Sequence, residues 1–109
     1  MTNKEIAEAE NDQLRDYELV LIIKPDVAEE ALEATLDNLG KYITETGGTV
    51  SNIDRWGKKK LAYPIKHFLE GQYVLTQFKM SPASGKQMEA NIRISEDVLR
   101  HLLISLNAD

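Results

Sequence analysis

The chain has 109 residues, with 13 Lys and Arg against 18 Asp and Glu for a net charge of -5, and 42% of its residues are hydrophobic. A chain of this size is one domain's worth and buries roughly two-thirds of its unfolded surface, enough for a core without disulfides or structural metal. With no Cys and only His67 and His101, a disulfide framework, a thiolate nucleophile and Cys-ligated zinc or iron–sulfur clusters are excluded, and no other transition-metal site is expected. The longest apolar run, Leu19-Val20-Leu21-Ile22-Ile23, is far too short to span a bilayer, and no basic-then-apolar leader opens the chain. The expectation is a soluble intracellular protein with no membrane partner. An acidic balance also argues at first sight against a nucleic-acid partner.

Residues 1–14 carry five charged side chains and few large apolar ones. They read as an acidic, mobile N-terminal extension, because even with Thr2 and Glu5 at capping-box spacing so short a helix is marginal in water. A single domain is expected over 15–109. Tyr17 to Lys24 is β-branched and aromatic, with apolar residues on both faces, as suits a central strand covered on both sides. Pro25-Asp26 ends it. Asp26 with Glu29 reads as a helix N-cap, and Ala28, Ala31, Leu32, Thr35, Leu36, Leu39 and Ile43 recur at helical spacing until Gly47-Gly48. Thr49 to Ile65 is extended, with Gly57 and Pro64 marking an edge strand that bulges or kinks. Phe68-Leu69-Glu70-Gly71 suits a hairpin connection, and Gln72 to Met80 a further strand. Ser81-Pro82 supplies an N-cap and first-turn proline for a shorter helix with Met88 and Ile92 on its buried stripe. Asp97 to Leu106 fits a helix by composition, but its place in the order favours a closing strand.

The order is therefore βαββαβ, the α+β ferredoxin-like arrangement: two helices on one face of a four-stranded antiparallel sheet. The first and third strands are central in that topology and the second lies at an edge.

Charge is unevenly distributed along this order. Between Asp54 and His67 the chain holds Arg55, Lys58, Lys59, Lys60 and Lys66 against Asp54 alone, a local balance of +4 that leaves -9 elsewhere. Lys58 and Lys60 point to one side of a strand and Lys59 to the other. Trp56 and Tyr63 flank the lysines and are candidates either for stacking on unpaired bases or for packing within the protein. Edge lysines also guard sheets against aggregation, so composition leaves both roles open. The acidic residues of the first helix, Glu29, Glu30 and Glu33 among them, suit its N-terminal dipole and a solvated face.

Catalytic chemistry has no visible carrier. Neither His has an orienting partner in sequence, and Gly47-Gly48 follows a helix rather than opening one, so a phosphate cradle is missing. No catalytic residues, metal or cofactor are expected. The aromatic spacing in the third strand, with Gly71, Tyr73 and Phe78, also departs from the signature of RNA recognition motifs.

The segment Trp56-Gly57-Lys58-Lys59-Lys60-Leu61-Ala62-Tyr63-Pro64-Ile65-Lys66 closely resembles the signature of the bacterial small-subunit ribosomal protein six family. The likeness extends through Arg15-Asp16-Tyr17-Glu18, Pro25, the Gly-Gly pair, Gly71, and Arg93-Ile94 leading to Asp97-Val98, so it covers residues 15 to about 106. It implies a non-enzymatic structural protein of the small ribosomal subunit, monomeric when free. In that subunit it would bind the central domain of small-subunit ribosomal RNA as a heterodimer with ribosomal protein eighteen. Residue by residue, the resemblance carries RNA contact onto Arg15, Lys58, Lys59, Lys60 and Arg100. Asp16 and Ser105 stand where the family often has basic residues, which shifts weight from RNA contact to the partner. A basic partner would also account for the acidic balance. The competing reading is a regulatory module of the same architecture that binds a metabolite or self-associates through its sheet.

Overall fold

The computed structural model describes residues 14–106, so of the N-terminal extension only Leu14 falls within the described residues. Its elements run β1 (Arg15–Ile23), α1 (Glu29–Glu45), β2 (Thr49–Ile65), β3 (Phe68–Met80), α2 (Pro82–Arg93) and β4 (Val98–Ser105). One antiparallel sheet holds all four strands in the order β2-β3-β1-β4, so β1 and β3 are central and β2 is an edge. The expected ferredoxin-like α+β architecture is therefore the one found, and Val98–Ser105 is a strand.

Alternation along the two central strands builds the core. Tyr17, Leu19, Leu21 and Ile23 of β1 lie opposite Phe78, Thr76, Val74 and Gln72 of β3, and all eight are buried. Leu32, Leu36, Leu39 and Ile43 of α1 and Met88 of α2 cover them. Each such Leu or Ile contributes about 1.5–3 kcal/mol on burial, so the face is held by many moderate terms. The rings of Tyr17 and Phe78 stack with centroids 5.7 Å apart.

The opposite face of β1 differs from the expected double cover. Val20 and Ile22 are half-buried, and neither described helix lies over them. Leu61 and Tyr63 of β2 share a cleft with them instead. The pairing of β2 with β3 explains this: after Lys60↔Glu70 the register jumps to Ile65↔Phe68, which leaves β2 three residues longer than its partner. The surplus around Leu61–Pro64 turns over the sheet. Gly71 makes room beneath, since a Cβ at that position would collide with the Ile22 side chain and lie 3.5 Å from Leu61.

Three connections differ in detail from the sequence reading. Helix α1 begins at Glu29 with Ala28 as N-cap and no capping side chain, so Asp26 is not the cap. Pro25 and Asp26 lie instead in a turn closed by Val27 N donating to Lys24 O. The buried Gln72 amide donates to the carbonyls of both Lys24 and Val27, which fixes where the helix starts. The β2–β3 hairpin turns at Lys66-His67, not at Phe68–Gly71, which belong to β3. Both turn residues have left-handed backbone angles, φ 50° and 73°, as a two-residue type I′ hairpin loop needs. Strand β1 begins two residues earlier than expected, at Arg15. Gly47, with φ 90°, follows the end of α1 as anticipated, and the Ser81 side chain accepts from Ser84 N at the start of α2.

Candidate functional site

The basic segment occupies the outer half of the β2–β3 hairpin, and two irregularities orient it. A register shift between Arg55 and Gly57 inserts Trp56 as an extra residue. Gly57 takes φ 83° there, an angle glycine adopts without the steric cost a side chain would incur. Trp56 consequently lies on the open face of the sheet, stacked on Tyr73 of β3 with ring centroids 6.3 Å apart and planes 11° from parallel. Its Nε1 donates to Asp54 Oδ2 at 3.0 Å, and Lys59 Nζ lies 6.0 Å from the ring centroid, within reach of a cation–π attraction. The indole is thus engaged with its own protein, although it stays 45% exposed.

The lysines follow the alternation read from sequence. Lys58 opposite Gln72 and Lys60 opposite Glu70 fall on the helix side of the sheet, and Lys59 opposite Gly71 on the open side. All three are exposed, and none makes an ion pair among the described residues. Arg55 belongs to a different arrangement. Its guanidinium grips the Glu29 carboxylate with two hydrogen bonds of 2.6 and 2.7 Å, tying the edge strand to the first turn of α1. That hydrogen bonding holds the Glu29 carboxyl below its ordinary range and raises the Arg55 guanidinium further. Arg55 is therefore a cross-brace, and the cations of the segment that remain open to an outside anion are the lysines.

Arg100 joins this end of the molecule from β4. It lies opposite Ile22 on the open face and donates from Nη1 to the Tyr63 hydroxyl. The structure thus gathers Lys58, Lys59, Lys60, Trp56, Tyr63 and Arg100 around one end of the sheet. It leaves Arg15 apart. Arg15 pairs with Met80 at the opposite end of β1, roughly 25 Å from the lysines at about 3.3 Å per strand residue.

Between the overturned part of β2 and the sheet lies a cleft of about 260 Å³ with walls formed by Val20, Ile22, Leu61, Tyr63, Tyr73 and Leu102, and with Arg100 among its lining residues. Sequence reasoning missed Tyr73 and Leu61 as parts of this site. The signal for Tyr73 was present, since it alternates outward beside buried Val74, but the fold-back of Leu61 follows from a register jump that no local pattern announces. His67 sits in the exposed hairpin turn, while His101 faces Glu89 of α2 at 3.2 Å. Among the described residues no group of three or more His, Asp or Glu could hold a metal ion. No described helix is long and apolar enough to cross a membrane.

Comparison with known proteins agrees with this geometry. The sequence model of the family described as Ribosomal protein S6 matches residues 16–105. The small ribosomal subunit protein bS6 of Moorella thermoacetica is 41% identical over 96 residues, covering 88% of this chain and 98% of the relative. That of Clostridioides difficile is 44% identical over 91 residues, 84% of this chain and 98% of the relative. The bS6 of Dehalococcoides mccartyi strain 195 is 39% identical over 109 residues, all of both chains, so the match runs through the N-terminal extension as well. The crystal structure of 30S ribosomal protein S6 from Thermotoga maritima superposes with a TM-score of 0.79 at 31% identity, covering 85% of this chain and 88% of that one. These relatives are structural proteins of the small ribosomal subunit, which is cytoplasmic in bacteria, and not enzymes. Matched along nearly the whole of its folded length in both sequence and strand order, the chain belongs to the ribosomal protein S6 family.

Proposed function

We propose that this chain is a structural component of the small ribosomal subunit that binds the central domain of small-subunit ribosomal RNA as a heterodimer with ribosomal protein eighteen, without catalysis or cofactor. The observation that carries the RNA half is the gathering of Lys58, Lys59, Lys60 and Arg100 at one end of a molecule that is otherwise acidic. Cations concentrated on a projecting hairpin release counterions from an RNA backbone although the net charge is negative. Arg15, at the far end of β1, would touch RNA only outside this cluster.

A protein partner is supported by the other half of the open face. There Leu75 is half-buried, and Ile104 and Leu106 are 38% and 51% exposed, an apolar surface of the kind partners cover. The balance of -9 outside the hairpin segment suits a basic partner and would steer its approach. The same surface also admits self-association, which a sedimentation measurement on the free chain separates: the heterodimer reading expects a monomer.

The test is binding of the purified chain to a central-domain RNA fragment, with and without ribosomal protein eighteen, across a salt series. Tight, salt-sensitive binding that requires the partner is the expected result. Changing Lys58, Lys59 and Lys60 together to Ala is expected to weaken binding and reduce the salt slope by about 0.9 for each phosphate no longer neutralised. An unchanged slope would return the lysines to the role of edge protection. Failure of the folded chain to bind with the partner present would overturn the RNA reading.

A further inference from the structure

We infer that the cleft beneath the overturned part of β2 seats a single unstacked base of the RNA, with Arg100 at its rim meeting the attached phosphate; the inference rests on the RNA-binding reading above. The cleft measures about 260 Å³, below the roughly 300–1,000 Å³ of pockets that enclose larger ligands, so it suits one ring system. Its walls fit the faces of such a ring. Val20, Ile22, Leu61 and Leu102 are aliphatic, and Tyr63 and Tyr73 aromatic. A base within a duplex hides its faces in the stack, so only an unpaired one presents them.

The polar groups argue for a nucleotide over an apolar side chain of a protein. No carboxylate among the described residues lines the cleft, and Arg100 does. Its guanidinium is oriented by the Tyr63 hydroxyl, which occupies one donor and leaves others in a planar fork suited to phosphate. Next to the cleft, Tyr73 carries Trp56 stacked on it, and Lys59 lies over that indole. A second cation is thereby set along the path that a strand leaving the cleft would follow. In this arrangement Tyr63 is the residue that meets the base, and Trp56 supports Tyr73 and Lys59 from within the protein.

The experiment uses the full chain labelled with nitrogen-15 and follows amide shifts on titration with AMP, GMP, CMP and UMP, with ribose 5-phosphate and N-acetyl-leucinamide as controls. The nucleotides are expected to shift Leu61, Ala62, Tyr63, Tyr73 and Arg100 through Leu102, and ribose 5-phosphate to leave Leu61 through Tyr63 and Tyr73 unmoved. Tyr63→Leu is expected to weaken nucleotide binding about tenfold, the scale of a single base–aromatic stack. Tyr63→Phe, which keeps the ring, should retain most of it. With the central-domain fragment and ribosomal protein eighteen, Tyr63→Leu should lower affinity with the salt slope unchanged, while Arg100→Gln should lower the slope by about one. Shifts confined to Lys58 through Lys60 and shared by ribose 5-phosphate would overturn the base seat. So would N-acetyl-leucinamide filling the cleft while nucleotides stay out, which would mark it as a protein contact. If the fragment binds the wild type and Tyr63→Leu equally, the base seat falls and the RNA reading stands; if it binds neither with the partner present, both fall.

Discussion

The two faces of the sheet are built from the same strands and differ in what finishes them. On the helix side, Leu19, Leu21, Ile23, Val74 and Phe78 are each no more than 2% exposed, closed over by two helices. On the open side Leu102 and Ile104 are 55% and 38% exposed, and among the described residues the cover comes from a part of β2 that curls back over the sheet. The first face is completed within the chain. The second leaves apolar side chains exposed, with Lys59 and Arg100 at one end and Lys79 beside Asp16 at the other. Residues of the same type therefore have different fates on the two faces: a leucine inward is closed into the core, and a leucine outward is left exposed.

The strongest test of that contrast is a pair of truncations. Leu21→Ala removes a side chain that is 2% exposed and is expected to cost about 2–5 kcal/mol by denaturant unfolding. Leu102→Ala is expected to stay within about 0.5 kcal/mol. Comparable losses would mean that the open face stabilises the free protein and is not held in reserve. A smaller effect should follow from Gly71→Val, which drives new methyl groups into Ile22 beneath the cleft. A loss of about 1–3 kcal/mol is expected, along with altered amide shifts at Leu61 and Tyr63. A silent substitution would show that the overturned segment is not seated on the sheet.

The smallest effect concerns the brace between edge strand and helix. The Glu29 carboxyl is held below its ordinary range mainly by its hydrogen bonds to Arg55, a contribution present above the unfolded value and lost as pH falls through the lowered one. Wild type is therefore expected to exceed Arg55→Gln in stability slightly at neutral pH, with the gap closing as pH drops below the ordinary carboxylate range. The pair is solvent-exposed, so the difference stays small. A gap that widens in acid would contradict the assigned cause.

How far this contrast was legible beforehand depended on the kind of pattern involved. Element order, the edge position of β2 and the alternation of Lys58, Lys59 and Lys60 follow from periodicity and from proline and glycine placement, which are local signals. Asp26 suggested a false helix start because a side chain elsewhere in the chain, Gln72, took the loop carbonyls and shifted the first turn. The apolar run in β1 suggested equal cover on both sides, since a sequence reports how apolar a face is and not what covers it. The cleft was invisible for a related reason. It arises from a three-residue mismatch between β2 and β3, and register is a property of two strands at once. Tyr63 and Arg100, 37 positions apart, meet only because of it.

The turn at the hairpin tip sets the stability of that end of the molecule against its use. Lys66 and His67 both sit in left-handed backbone conformations, which cost an L-residue with a side chain roughly 1–2 kcal/mol that glycine or, in part, asparagine avoids. A chain optimised for heat resistance alone would carry Asn-Gly there. Retaining a cation and an imidazole at the outermost point keeps a positive charge at the tip beside the lysines, and it lowers the stability of the hairpin end relative to a glycine-bearing turn. The end of the molecule that carries the lysine cluster is thus also one whose turn is built against ordinary backbone preference.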